Sequence, residues 1–164
     1  MDGSTLQMIS GYNPEEEEWT LSSIQFLTTD GSNKEASYPT LSRLAAAVTL
    51  STGSILVTGG RVNEKQVWMS ASNSSTSWVR KKDMLEGRKG HAAAAVMLAD
   101  VEVVIVAGGW SFLAQELASV ELYRPKQDQW SRLTSMPKAR VDFALKVKYF
   151  QKCVPVFYLC GLKI

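Results

Sequence analysis

Short apolar runs separated by turn residues recur along this chain. Between residues 88 and 137 four of them stand out. Ala92–Leu98 is apolar and stops at Asp100, and Glu102–Ala107 is rich in Val and Ile and stops at Gly108-Gly109. Ser119–Tyr123 alternates apolar and polar positions up to Pro125, and Trp130–Leu133 stops ahead of Met136-Pro137. Runs of this length, β-branched or aromatic and bounded by Gly, Pro or Asp, predict strands. Sustained helical spacing with caps is absent. Gln115–Val120 has room for a helical turn but is too short to stand alone.

The pattern is periodic. Ile55-Leu56-Val57-Thr58-Gly59-Gly60 recurs as Val104-Ile105-Val106-Ala107-Gly108-Gly109, a step of 49 residues from 59 to 108. A third copy is read at Val156–Gly161, with Cys160 in place of the first glycine. Trp78 to Trp130, Met84 to Met136 and Arg88 to Arg140 are each separated by 52 residues. An apolar run follows each arginine, Ala92–Leu98 or Phe143–Val147, and Arg43 before Leu44–Leu50 reads as an earlier copy. Tyr12-x-Pro14-x4-Trp19 matches Tyr123-x-Pro125-x4-Trp130 in internal spacing. Units of four short strands repeating about every 50 residues are what a β-propeller blade requires. The small side chains of Ala45–Ala47 and Ala92–Ala95 suit crowded innermost strands. Paired glycines allow close backbone approach and positive φ. A tryptophan on the outer strand fills the gap between neighbouring units.

Composition narrows the function classes. With 45% hydrophobic residues, 21% charged, 11 Gly and 5 Pro, the 164-residue chain is neither a disordered tail nor a collagen-like or disulfide-stapled one. Eighteen basic against 16 acidic residues give a net charge of +2, too balanced for a nucleic-acid or membrane-surface footprint. Apolar runs such as Ala92–Ala99 fall far short of the roughly 18–20 residues of a membrane span. Met1-Asp2-Gly3-Ser4 opens no basic-then-apolar signal, so no signal peptide is expected. Cys153 and Cys160 sit in an apolar setting that suggests packing rather than a required disulfide. A cytoplasmic location is therefore expected.

These residues resemble the kelch repeat: an apolar strand ending in Gly-Gly, then Tyr-x-Pro, then Trp, then Met-Pro and Arg. The resemblance runs from about Arg43 to the C-terminus, plus Tyr12–Trp19, and is cleanest over Arg88–Pro137. In the preceding unit Ala71 stands where Tyr is expected and Asn73 where Pro is. Thr20–Ser42, rich in Ser and Thr, reads as a long connection. The expected organisation is an outer half-blade at 12–19 followed by a long loop to 42, repeats at 43–87 and 88–139, and the inner half of a third at 140–164. The expected fold is thus all-β, a segment of a kelch-type β-propeller with about three blade-equivalents. Propellers close with 4–8 blades, so such a chain is a piece of a larger propeller, or two copies complete a six-bladed ring as a homodimer.

Candidate chemistry is sparse. His91 is the single histidine and reads as a hydrogen-bonded structural group. It offers no catalytic triad and cannot build a copper site, so neither a metal nor any other cofactor is expected. Gly59-Gly60 and Gly108-Gly109 end strands and open no phosphate-cradling helix. Glu15–Glu18 and Arg80-Lys81-Lys82 read as a solvated turn and a solvated edge. Trp19, Trp78 and Trp130, with Gly59, Gly60, Gly108, Gly109 and Tyr123, hold repeat positions and read as structural, whereas Trp68 and Trp110 are off-register.

The resemblance implies a protein-interaction module, with substrate recognition for a cullin-based ubiquitin ligase among the roles implied. It places ligand contacts in loops after the double glycine and around the repeat-start arginine. The contact candidates are Arg61, Asn63, Arg88, Trp110, Ser111 and Arg140. Arg and Trp are favoured at interface hot spots, and the arginines would pair carboxylates on an acidic protein segment. For Arg88 and Arg140 the competing reading is that they only tie blades together. A sugar-isomerising or carbohydrate-active kelch enzyme, and a non-functional fragment of a longer protein, also stay open as readings of the chain.

Overall fold

The computed structural model describes residues 6–13, 18–27, 33–37, 44–62, 64–71, 74–149 and 155–160. The described residues form strands and turns and no helix. In chain order the strands are β1 (Leu6–Asn13), β2 (Glu18–Leu27), β3 (Asn33–Ser37), β4 (Ala46–Thr49), β5 (Ile55–Thr58), β6 (Val67–Ala71) and β7 (Ser74–Lys81). There follow β8 (Ala92–Leu98), β9 (Val101–Ala107), β10 (Trp110–Ser111), β11 (Gln115–Glu116), β12 (Val120–Arg124), β13 (Gln129–Leu133), β14 (Ala144–Tyr149) and β15 (Pro155–Cys160).

Two four-stranded antiparallel sheets dominate, ordered β4-β5-β6-β7 and β8-β9-β12-β13. The second strand of each is buried, β5 along its whole length and β9 from Val103 to Ala107, because both faces are covered there. In β9 the faces separate with period two, as a strand requires. Val104 and Val106 pack toward the first sheet with Leu56, Val67 and Met84. Val103, Ile105 and Ala107 pack the other way, with Phe143 and Leu145 against them. Each large side chain so buried contributes roughly 1.5–3 kcal/mol. At the far end the first sheet's β4–β5 turn is tied across: Ser51 N and Oγ donate to the Glu102 carboxylate at 2.6 and 2.9 Å.

The innermost strands start alike. Leu44, Gly90 and Asp142 all have positive φ, at 63°, 59° and 51°. Gly90 N donates to Leu44 O at 2.8 Å, and Asp142 N to Gly90 O at 2.9 Å, so the three entry loops are chained by main-chain bonds. Strands begin at Ala46, Ala92 and Ala144, two residues beyond each of these positions. Arg43, read as an earlier copy of Arg88 and Arg140, lies outside the described residues.

Four expectations are corrected. Residues 20–42 are not one connection: β2 runs on to Leu27 and β3 pairs with it, giving the sheet β1-β2-β3. Ile24 and Phe26 alternate with polar neighbours there, a strand pattern that the Ser/Thr-rich composition obscures. Gln115 and Glu116 pair with Ser111 and Trp110 as a short strand instead of a helical turn. Ser70, not Ala71, lies opposite Trp78, with an irregularity between Ser70 and Ala71 that absorbs the extra residue. Finally, Cys160 pairs with Ala144 as Ala107 pairs with Ala92. Cys160 therefore ends the strand, and the first-glycine position falls to residue 161. Cys153, Pro14 and Glu15–Glu17 lie outside the described residues.

Candidate functional site, an inter-sheet cleft

The two sheets are joined by residues 82–91, and the second sheet's outer hairpin grips this linker. Tyr123 and Trp130 are cross-strand partners with rings stacked at 4.7 Å. The Tyr123 hydroxyl donates to Asp128 at 2.7 Å. Burial, and then that carboxylate, raise the phenol well above its ordinary range. Burial opposes ionisation of Asp128, yet the Lys82 amide, the Tyr123 hydroxyl and the charges of Lys81 and Lys82 hold its carboxyl below the usual value. Lys82 N donates to Asp128 at 2.9 Å, and Trp130 Nε1 donates to Lys82 O at 2.8 Å. The spacing of the Tyr…Trp motif is therefore the spacing that clamps the main chain of one linker residue, Lys82. Tyr12 and Trp19 are paired in the same register in β1 and β2.

Glycine pairs set where the loops emerge. Gly59 and Gly108 have φ of +64° and +62°; a Cβ there would lie 2.2 Å from Arg88 O and 2.5 Å from Arg140 O. The glycine that follows each donates to the same carbonyl, Gly60 at 3.0 Å and Gly109 at 2.8 Å. Gly108→Ala is expected to destabilise the chain by about 2 kcal/mol or more, from left-handed backbone strain plus a clash with an immovable carbonyl. Urea denaturation measures this. A change below about 0.5 kcal/mol would mean that the strand end is not seated on Arg140.

The loops that leave these glycines face each other across a cleft of about 700 Å³. Its walls carry Arg61, Val62, Glu64 and Lys65 from the first sheet's loop, and Trp110, Ser111, Phe112 and Leu113 from the second's. Lys89 and the Arg80–Asp83 ion pair close its base. Lys89 Nζ sits 4.0 Å from the centre of the Trp110 ring, and Phe112 meets that ring edge-on at 6.3 Å. Phe112 N donates to Glu64 Oε2 at 3.2 Å, linking the two loops. Val62, Phe112 and Leu113 are 69%, 79% and 93% exposed, unusual for large apolar side chains grouped on one rim. Among the described residues no carboxylate is ion-paired with Arg61 or Lys65.

The sequence-derived contact residues divide. Arg61, Trp110 and Ser111 line this cleft; Ser111 is buried, its Oγ accepting from Leu113 N at 3.3 Å. Asn63 lies outside the described residues. Arg140 is exposed but belongs to the next repeat start, away from the cleft lining. Arg88 is corrected: it is 0% exposed and reaches no partner. Its guanidinium donates to Gly108 O at 2.7 Å, Ser119 O at 3.2 Å, Ser119 Oγ at 3.1 Å and Glu121 Oε1 at 2.6 Å. The sequence reading missed Val62, Phe112 and Leu113. The available signal was two bulky apolar residues, Phe112 and Leu113, in the turn that follows Gly108-Gly109-Trp110-Ser111.

His91 is buried, its Nε2 2.8 Å from Thr58 Oγ1 and its Nδ1 without a partner. Desolvation, aided by Arg88, pushes its pKa down to about 3. A second cavity of about 440 Å³ is lined by Leu44, His91, Asp142 and Phe143 at the strand starts. An imidazole so weakly basic is a poor general acid or base near neutral pH. Among the described residues no group of three or more His, Cys, Asp or Glu is placed to hold a metal ion.

Comparison with known proteins finds a motif and relatives that fit these repeats. The kelch motif matches residues 100–137, which contain β9 to β13. Kelch-like protein 35 of Mus musculus and of Homo sapiens are each 28% identical over 134 residues. The alignment covers 82% of this chain and 20% of each relative, so the chain spans about a fifth of their length. The matched residues fall on three strands of the sheet β8-β9-β12-β13, whose four-stranded design the sheet β4-β5-β6-β7 repeats, so the chain carries a kelch motif on a blade-like sheet and is similar to kelch-like proteins.

Proposed function

We propose that the chain is a protein-interaction scaffold whose inter-blade cleft receives an extended segment carrying a carboxylate next to a large apolar side chain. The observation that carries this reading is the juxtaposition of Val62, Phe112 and Leu113, all exposed, with the cations Arg61 and Lys65, with which no carboxylate is ion-paired among the described residues. An Arg guanidinium binds a carboxylate in a bidentate fork. The apolar rim supplies the desolvated anchor around which interface energy concentrates. Kelch repeats and kelch-like relatives support the scaffold role itself. Within a longer protein, such a cleft would select substrates for a cullin-type ubiquitin ligase; recovery of a cullin with a tagged full-length protein tests that role.

A peptide array that varies acidic and apolar positions independently tests the cleft. Peptides with adjacent acidic and apolar residues are expected to be retained, and Arg61→Ala and Leu113→Ser to weaken the best of them at least tenfold each. Trp110→Ala is expected to do the same by freeing Lys89 and withdrawing the support of Phe112. Unchanged affinity in all three variants sinks the assignment. The enzyme reading receives no support from His91, which is buried and held neutral.

A further inference from the structure

At the floor of the inter-sheet cleft Lys89 and Trp110 fix each other. Lys89 N donates to Trp110 O at 2.9 Å and Trp110 N to Lys89 O at 2.8 Å, an antiparallel bridge between the linker and the second sheet's loop. Gly109 permits this close approach: a Cβ there would lie 2.7 Å from Lys89 O. The Lys89 ammonium then rests 4.0 Å from the centre of the Trp110 ring. A cation over a ring face still offers N–H groups to a second partner. Lys89 is half-buried, and no carboxylate is ion-paired with it among the described residues. Partial burial makes an unpaired ammonium costly and strengthens its attraction for an anion brought to it.

The charges around the cleft say which anion fits. Arg61, Lys65, Arg80 and Lys89 line it, against two carboxylates, Glu64 and Asp83. Both carboxylates are engaged, Asp83 with Arg80 and Glu64 with the Phe112 amide. The lining therefore carries an excess of two positive charges. A carboxylate offsets one of them. A phosphate monoester, with about −1.5 to −2 charge at pH 7, offsets both and brings three strong acceptor oxygens. The lining is also layered. Lys89 stands at the floor, whereas Val62, Phe112 and Leu113 are exposed at the rim. A side chain that reaches the floor passes the rim with an apolar stem and ends in the anion.

We propose that the cleft receives a phosphotyrosine side chain from a partner protein, which rests on the reading of the cleft given above and names a dianion on an aromatic stem as its ligand. The ring lies along Val62, Phe112 and Leu113, and the phosphate reaches Lys89, with Arg61 and Lys65 donating from the wall. Arg61 supplies a bidentate fork, and the two lysines supply point charges. Phosphoserine holds its phosphate close to the main chain, so its backbone would have to enter between the two loops. The Glu64–Phe112 hydrogen bond ties those loops together and opposes such entry.

The probes are four labelled peptides of one host sequence, Xaa-Leu flanked by alanine and glycine, with phosphotyrosine, tyrosine, phosphoserine or glutamate at Xaa. Each is titrated into the full chain and followed by fluorescence anisotropy. The phosphotyrosine peptide is expected to bind roughly tenfold tighter than the other three, and phenyl phosphate to compete with it. Lys89→Met keeps an unbranched stem on Trp110 but no charge. It is expected to weaken the phosphotyrosine peptide about tenfold and the glutamate peptide by no more than about threefold, while Lys89→Arg keeps the preference. Lys65 is exposed, so Lys65→Met removes a second cation without touching the floor and should cost the phosphotyrosine peptide about fivefold. Circular dichroism checks that each variant is folded. Glutamate binding as tightly as phosphotyrosine overturns the proposal and leaves the carboxylate reading of the cleft standing. Phosphoserine binding as tightly as phosphotyrosine overturns the aromatic stem and with it the proposal. A phosphotyrosine preference that ignores both methionine variants overturns it too, and no binding by any peptide overturns both readings.

Discussion

Glu121→Ala is expected to destabilise the chain by about 3–5 kcal/mol, the usual cost of stripping one partner from a buried ion pair. Glu121 is 1% exposed and its carboxylate has no idle oxygen. Oε1 accepts from Arg88 Nη2 at 2.6 Å and from Glu86 N at 3.0 Å; Oε2 accepts from Leu85 N at 2.8 Å. Alanine leaves a fully buried guanidinium without its counter-charge and strands two amides of the linker. Glu86 is the nearest replacement, but its Oε2 stands 3.7 Å from Arg88 and already accepts from Ser119 Oγ. Glu121→Gln should recover little of the loss. All three groups facing the two oxygens are donors, and the glutamine amide would turn a fourth donor toward one of them. Urea denaturation followed by tryptophan fluorescence measures both variants. A shift under about 1 kcal/mol for alanine would show that water reaches Arg88. The size of the effect reports the penalty of an unpaired charge, not the net worth of the pair.

The same pair explains what the sequence could and could not reveal. Strand positions were legible because period-two patterning and turn residues are local. Glycine and Tyr/Trp markers were legible because each answers a fixed demand: the Arg88 and Arg140 carbonyls exclude a Cβ, and the Asp128–Trp130 clamp needs its spacing. The sequence left Arg88 open between a ligand contact and a blade tie because its environment is made by a residue 33 positions away, and nothing local marks Glu121 as its partner. The strands of residues 18–37 were passed over because they carry no Gly-Gly pair like those that end β5 and β9, and the Asp30-Gly31 turn signal between β2 and β3 was submerged in a Ser/Thr-rich stretch. Half of the cleft was legible, in Arg61 and Trp110. Val62, Phe112 and Leu113 look like ordinary apolar residues until the fold leaves them uncovered between two loops.

His91 makes the second large effect one of pH. The unfolded chain binds a proton at this imidazole near the ordinary value of 6.5, whereas burial and Arg88 lower the folded value to about 3. Between those values the unfolded state holds the extra proton. Folding stability from this group is therefore complete above pH 6.5 and is lost as the pH falls toward 3, by about 1.4 kcal/mol per pH unit. From pH 7 to pH 5 the expected loss is about 2 kcal/mol, or roughly a thirtyfold shift toward the unfolded state. His91→Gln is close in size, retains a polar group for Thr58 Oγ1 and does not titrate. It should be less stable than the parent at pH 7, since the ring packs against the close approach at Gly59 and Gly109. Toward pH 5 the difference should narrow by the same 2 kcal/mol or so, because only the parent gains a proton on unfolding. Parallel curves for the two proteins would place His91 in contact with water and end the case for a buried neutral imidazole. The orphaned Nδ1 fits the neutral form: a protonated ring would carry an N–H without an acceptor at Nδ1 and a charge beside the fully enclosed Arg88.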